Sequence, residues 1–274
     1  MVKGDAVRGG YEAWALQSTG ERVAVALALN RADWLAKIDY TLAEAIDRLD
    51  SDWLACVFVM KDKTVMTDLL YLDSNATVAN CQVLSCEPTP NGFAVVLDKT
   101  IFHFQGGGQP SDKGTVNGIP ITKVLKNEDK ILHFVEKEIA LGGAEIKIDA
   151  ETRALHSRLH SAGHLIGKAI EKVGYTPTKA HHWPGECKIQ CKPNSHETKE
   201  LDIHFLEKQV NEIVSSSLPL KISTSDGVRT ACFGGNEGYP CGGTHVENTQ
   251  MIGNIKIVSI KTKGGISSIK YDID

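Results

Sequence analysis

The 274-residue chain lacks any uninterrupted apolar run of 18 residues, which excludes a helix crossing a bilayer. Met1 to Gly10 carries no apolar stretch of the kind that heads an export signal, so no secretion is expected. No internal repeat or low-complexity segment appears, which excludes a solenoid and a tail-like chain. Neither sign of charge dominates: 30 Lys and Arg against 34 Asp and Glu leave a net −4. Any nucleic acid must therefore meet a local basic surface rather than a bulk positive field. Seven cysteines make an odd count. Without an export signal this reads as free thiols in a reducing cytoplasm, not a disulfide framework. What the chain does have is a core: 42% hydrophobic residues against 23% charged ones, enough for one large domain or two ordinary ones.

Composition shifts near residue 60. Eleven alanines and three of the four tryptophans (Trp14, Trp34, Trp53) precede it, whereas all ten histidines lie between His103 and His245. Residues 1–63 are expected to be a helical extension of separate origin. Ser18-Thr19-Gly20-Glu21 and Thr41-Leu42-Ala43-Glu44 both read as capping boxes. Trp53–Met60 is a continuous apolar run that fits a buried strand or a short helix equally. Residues 64–148 read as short strands, with candidates at Val65–Leu72, Gln82–Ser85, Phe93–Leu97, Ile119–Val124, Ile131–Val135 and Glu145–Ile148. Asn91-Gly92, Asn117-Gly118 and Gly142-Gly143 supply the turns. Such spacing suggests a small β-barrel or sandwich. Residues 149–174 predict the longest helix, capped by Asp149 and ended by Gly174 before Pro177. A second helix is expected near Glu197–Ser216, and final strands at Ile252–Ile260 and Ile266–Tyr271.

At about 100° per residue, Leu155, Leu159, Ala162, Ile166, Ala169, Ile170 and Val173 gather on one face of the 149–174 helix. His156, His160 and His164 fall away from it, beside Gly163 and Gly167. Mid-helix glycines cost about 1 kcal/mol each against alanine, so a backbone or a ligand is expected to approach closely there. Imidazoles at i and i+4 can reach one metal ion. An ordinary pair of surface histidines explains the same pattern.

A second candidate is the segment Gly234 to His245, which ends Tyr239-Pro240-Cys241-Gly242-Gly243-Thr244-His245. Thiolate and imidazole are preferred zinc ligands, and the glycines allow Cys241 and His245 to converge. A glycine-rich loop with an inert thiol is the alternative. Cys187 and Cys191 form a lesser candidate metal pair. Cys56, Cys81, Cys86 and Cys232 read as small buried hydrophobes.

Together, His160-Ser161-Ala162-Gly163-His164 and Cys241-Gly242-Gly243-Thr244-His245 resemble the HxxxH…CxxxH signature of the alanyl-tRNA editing family. That family comprises the free-standing AlaX-like proteins and the editing domain of alanyl-tRNA synthetase. Phe104-Gln105-Gly106-Gly107-Gly108-Gln109-Pro110-Ser111-Asp112-Lys113-Gly114 resembles its glycine-rich segment. Lys179-Ala180-His181-His182-Trp183 and Ile252–Tyr271 also look similar. The resemblance covers residues 67–274 and not 1–60. No ATP-binding or anticodon-reading region is recognisable, so the chain looks like a stand-alone editing factor.

The resemblance implies hydrolysis of the ester that joins serine or glycine to tRNA(Ala). It implies a Zn²⁺ ion on His160, His164 and Cys241, with His245 as fourth ligand or nearby acid/base. Gly106, Gly107, Gly108, Gln109, Lys179, His182 and Thr244 are the implied substrate or tRNA contacts. Thr178, Thr244 and His182 are candidates to read a serine hydroxyl. Where the synthetase form often carries Thr before the second histidine, this chain has Gly163. Lys256, Lys261, Lys263 and Lys270, with Lys168, Lys172, Lys179, Lys188 and Lys192, offer phosphate contacts. A metallopeptidase is disfavoured, because the helix lacks the glutamate of H-E-x-x-H. A zinc-stabilised tRNA-binding module without catalysis is the alternative function. The fold expected is α+β. A β-barrel-like subdomain (64–148) precedes a two-layer α/β zinc-binding editing subdomain (149–274), and the partner is tRNA rather than a membrane.

Overall fold

The computed structural model describes residues 15, 19–28, 31–49, 66–127, 130–194, 198, 200–235 and 238–274. The chain divides into two compact units, residues 1–66 and 67–274. Ser18, Trp53–Met60, Cys56, Val65 and Glu197 lie outside the described residues.

In the first unit, helices α1 (Thr19–Ala28), α2 (Ala32–Ala36) and α3 (Leu42–Asp47) surround a small core of Val23, Ala24, Trp34, Leu35, Ala45 and Leu49. Thr41 and Glu44 form the expected capping box: Glu44 N donates to Thr41 Oγ1 at 3.3 Å, and Thr41 N donates to Glu44 Oε2 at 2.8 Å.

The second unit is mixed α and β. Its elements begin with β1 (Asp68–Leu69), β2 (Val78–Thr89), β3 (Gly92–Leu97), β4 (Lys99–Thr100), β5 (Gly114–Val116), β6 (Ile119–Asn127), β7 (Lys130–Val135) and β8 (Gly142–Ile148). Six of these close into a barrel in the order β2-β3-β7-β6-β5-β8. Period-two alternation drives it. In β8, Ala144, Ile146 and Ile148 turn inward while Glu145 and Lys147 face out. Val95, Leu97, Phe102, Val116 and Val124 fill the interior. The expected strand Val65–Leu72 is corrected. Only Asp68–Leu69 pairs, and Leu70–Leu72 turns as a 3₁₀ helix that buries Tyr71.

The chain continues through α4 (Ala150–Glu171), β9 (Tyr175–His181), β10 (Lys188–Pro193), α5 (Ile203–Ser215), β11 (Leu220–Ser225), β12 (Val228–Phe233), β13 (Tyr239–Pro240), β14 (Ile255–Lys263) and β15 (Ile266–Ile273). Strands pair in the order β14-β15-β10-β9, and a smaller sheet runs β11-β12-β13. Asp149 caps α4 by accepting from Thr152 N at 3.0 Å. Leu159, Ile166 and Ile170 of α4 pack with Leu206 and Val210 of α5 on Ile189, Ile257 and Ile269 of the larger sheet. The helix expected from Glu197 begins at Ile203, where Asp202 caps it. The strand expected from Ile252 begins at Ile255, after a 3₁₀ turn over Thr249–Ile252. Among the described residues no helix is long and apolar enough to cross a membrane.

His133 sits wholly inside the barrel. Its ring nitrogens meet Val95 O at 3.2 Å and Thr100 Oγ1 at 2.9 Å. The carbonyl can only accept, so Nδ1 carries the proton and Nε2 accepts from the threonine. Burial lowers the His133 pKa to about 4. The unfolded chain takes up this proton near pH 6.5 and the folded one only near pH 4. The contribution of this one histidine is therefore whole above pH 6.5 and is lost between those values, about 3 kcal/mol. Urea unfolding across that window should show it, and His133→Gln should remove about one proton from the pH slope.

Candidate metal centre and cleft

Two distant stretches deliver the metal-ligand candidates. Helix α4 supplies His160 and His164, one turn apart. The turn after β13 supplies Cys241 and His245. Their ligand atoms all lie within 4.8 Å of one another. Cys241 Sγ is 3.4 Å from His160 Nε2 and 3.7 Å from His245 Nε2, and His245 Nε2 is 3.4 Å from His164 Nε2. Among the described residues this is the one group of three or more such side chains, and Cys187 and Cys191 belong to none. Both are buried instead, their thiols pushed up by desolvation to about 12 and about 11.

Hydrogen bonding fixes how His160 faces. The Thr244 backbone N donates to Gln109 Oε1 at 3.1 Å, which identifies that end of the amide as oxygen. His160 Nδ1 lies 2.6 Å from the same oxygen, so Nδ1 is the donor and the Nε2 lone pair points at the cluster. Gln109 Nε2 donates to Thr244 Oγ1 at 2.8 Å, and Ser157 Oγ meets that hydroxyl at 2.7 Å. Arg229 Nη1 donates to the carbonyls of Cys241 (2.7 Å) and Gly243 (3.3 Å) and holds the turn. Gly243 has to be glycine: a Cβ there would lie 2.1 Å from His160 Cε1.

Burial pushes His160 and His245 well below the usual imidazole range and His164 to about 4, and it raises Cys241. The Cys241 S–H can donate to His160 Nε2 at 3.4 Å, and loss of that proton leaves a thiolate and three imidazoles around one point. The set fits a cation, and three nitrogens with one sulfur are a zinc set.

The histidine side of α4 is not a solvent face. His156 and His160 are buried with the apolar residues. The glycines are explained by side chains rather than by a backbone or a ligand. A Cβ at Gly163 would lie 2.3 Å from His182 Cε1, and one at Gly167 would lie 2.9 Å from the Tyr239 hydroxyl. His182 stacks on His160 at 4.6 Å between ring centres. Tyr271 OH donates to Leu159 O at 2.9 Å, so its oxygen accepts from His182 Nδ1 at 2.6 Å and leaves His182 Nε2 unprotonated. Desolvation lowers the His182 pKa to about 3.

A cleft of about 280 Å³ opens beside the cluster, lined by Gly107, His160, His164, Lys179, His182 and Cys241. Gly107 and Gly108 adopt φ of +57° and +82°, and Gly108 presses on the Ala180 carbonyl, which a Cβ would meet at 2.6 Å. Gly106 closes this turn by pairing with Gln109. Gly107 and Lys179 are exposed at the cleft, whereas Gln109 is fully buried and faces His160. Thr244 is buried and engaged by Gln109 and Ser157. Thr178 donates to Gln190 O at 3.2 Å.

Sequence reasoning missed Ser157, Arg229 and Tyr271 as supports. Ser157 lies three residues before His160 on the same helix face, a readable signal. Arg229 and Tyr271 carry none. It also missed the ion pair of Arg153 with the fully buried Asp112, reinforced by Arg153 Nε to Asp112 Oδ1 at 2.9 Å, which locks α4 to the glycine-rich segment.

Two substitutions test this scaffold. Gln109→Ala frees the His160 tautomer and should weaken metal binding 10- to 100-fold by chelator competition. Gly243→Ala drives a methyl into His160 and should lower metal content at least as far.

The second additional domain of threonyl- and alanyl-tRNA synthetases matches residues 228–267, which include Cys241 and His245. Alanyl-tRNA editing protein AlaX-M of Pyrococcus horikoshii is 32% identical over 203 residues, which are 69% of this chain and 88% of that protein. Alanyl-tRNA editing protein Aarsd1 of Danio rerio is 30% identical over 190 residues, 61% of this chain and 45% of its own length. An alanine–tRNA ligase of Acholeplasma laidlawii is 30% identical over 194 residues, 62% of this chain and 23% of the ligase. With its candidate metal-ligand cluster and glycine-rich turn in place, the chain belongs to the alanyl-tRNA editing, AlaX-like family.

Proposed function

We propose that this protein is a zinc-dependent deacylase that cleaves the ester between a wrong amino acid and the 3′ end of tRNA, with seryl- and glycyl-tRNA(Ala) as substrates. The observation that carries the reading is the convergence of His160, His164, Cys241 and His245 within 4.8 Å at the wall of an open cleft. The relatives' names, alanyl-tRNA editing proteins, supply the substrate class. In this reading residues 64–148 carry the glycine-rich motif, 149–274 form the zinc-binding editing subdomain, and 1–63 stand outside the chemistry. A cytoplasmic setting keeps Cys241 reduced.

Bound zinc would polarise an ester carbonyl or acidify a water, as Lewis-acid metals do. The protein's residues do the rest. An aminoacyl ester is already activated, so positioning and oxyanion stabilisation suffice. Gly107, where an added Cβ would meet nothing within 4 Å, leaves backbone exposed to the substrate along the cleft. Lys179 stands at the rim for a phosphate of the 3′ end. Gln109 holds His160, and Thr244 braces Gln109. The Tyr271 relay aims the His182 Nε2 lone pair as acceptor for a serine hydroxyl, which alanine lacks. Four protein ligands would fill a tetrahedral ion, and this favours the second reading, a zinc-stabilised tRNA-binding module.

A deacylation panel with metal content measured in the same sample separates the two. Seryl- and glycyl-tRNA should be hydrolysed at least tenfold faster than alanyl-tRNA, and a folded, zinc-depleted protein should be inactive. Loss of folding with zinc would favour the binding module. His160→Ala and His164→Ala should each lose zinc and at least a hundredfold in rate, and a variant with full metal and full activity would refute the assignment. His182→Phe keeps the ring and loses the acceptor, so the preference for seryl- over alanyl-tRNA should fall about tenfold in kcat/KM.

A further inference from the structure

The larger sheet has two faces of opposite character. One is apolar and carries α4 and α5. On the other, strand register aligns charged side chains. Lys188 pairs directly with Lys270 on β15 and with His181 on β9. Two residues along, Gln190 pairs with Ser268 and Lys179, and Ser268 pairs in turn with Lys261 on β14. This makes two rows across the strands, about 7 Å apart along each strand and about 14 Å wide from β9 to β14.

Like charges directly opposite on neighbouring strands destabilise a sheet, so the Lys188–Lys270 pair requires a reason. Among the described residues none of Lys179, Lys188, Lys261 and Lys270 enters an ion pair. The residues between them, Gln190 and Ser268, are uncharged hydrogen-bonding groups. Lys179 belongs both to this face and to the wall of the metal cleft, so the lysine rows are continuous with the site.

The geometry points to this open sheet face as the docking surface for the duplex of a tRNA acceptor stem, whose single-stranded 3′ end turns over the β9 edge at Lys179 into the cleft. The inference rests on the tRNA reading above and adds where the double-stranded part lies. A-form RNA presents a wide, shallow minor groove edged by phosphates and 2′-hydroxyls, which proteins read by shape. A flat sheet with spaced lysines and intervening Gln and Ser meets both groups without reading sequence. An acidic protein surface is the competing occupant, and it would not need the link to the cleft.

The test uses the full chain, zinc-loaded, and a fluorescent RNA hairpin of acceptor-stem length ending in single-stranded CCA. The wild type should bind it with log affinity falling linearly in log salt. Lys188→Gln/Lys261→Gln/Lys270→Gln should bind at least tenfold more weakly near physiological salt, with a slope shallower by about two to three. Lys270→Gln alone should lower the slope by about one, and a melting midpoint no lower than that of the wild type checks the fold. Equal affinity and slope in wild type and triple variant overturn the proposal. So does a CCA trinucleotide that binds as tightly as the hairpin, or a wild type that ignores the hairpin at low salt. Hairpin binding that depends on the lysines, in a protein that hydrolyses no aminoacyl-tRNA, would remove the deacylase reading and leave the docking face. Hydrolysis with lysine-independent binding would do the reverse.

Discussion

The hydrogen bond from His160 to the buried carbonyl oxygen of Gln109 ties the site together. One end of that amide belongs to the glycine-rich segment, His160 to the long helix, and the Thr244 nitrogen on the same oxygen to the cysteine turn. Three pieces of chain far apart in sequence thus share one acceptor. The same bond settles which imidazole nitrogen looks inward. Without it, the His160 ring would be free to take the other tautomer, and its Nε2 lone pair would not be held toward Cys241. A bound cation would give all four side chains one common partner.

Glycines make the close approach. Gly163 lets His182 lie against the helix, Gly167 does so for Tyr239, and Gly243 lets the turn meet His160. Helix propensity is given up at two positions so that rings can pack where a methyl would block them. This explains a helix buried on nearly every side in its middle. One side feeds the core with Leu159, Ile166 and Ile170, and the other feeds the site.

The candidate ligand cluster was legible because its spacing is local: each pair sits four residues apart within one element or one turn. The helix carrying His160 and His164 was legible from its 3.6-residue period and its Asp149 cap. Barrel strands such as Gly142–Ile148 were legible from strict alternation. The burial of the histidine face was not, because it depends on His182 and Tyr239 arriving from elsewhere in the chain. The support that Gln109 gives His160 was not legible, since nothing local distinguishes a glutamine aimed at solvent from one aimed at a histidine 51 residues away. Val65–Leu72 has the composition of a strand, yet Tyr71 is buried by a tight turn, a choice tertiary packing makes over propensity.

X-ray absorption at the zinc edge of the metal-loaded protein tests the central claim most directly. The account predicts one sulfur near 2.3 Å, lost in Cys241→Ala, with nitrogen ligands near 2.0–2.1 Å. A shell of nitrogen and oxygen alone in the unmodified protein would contradict it.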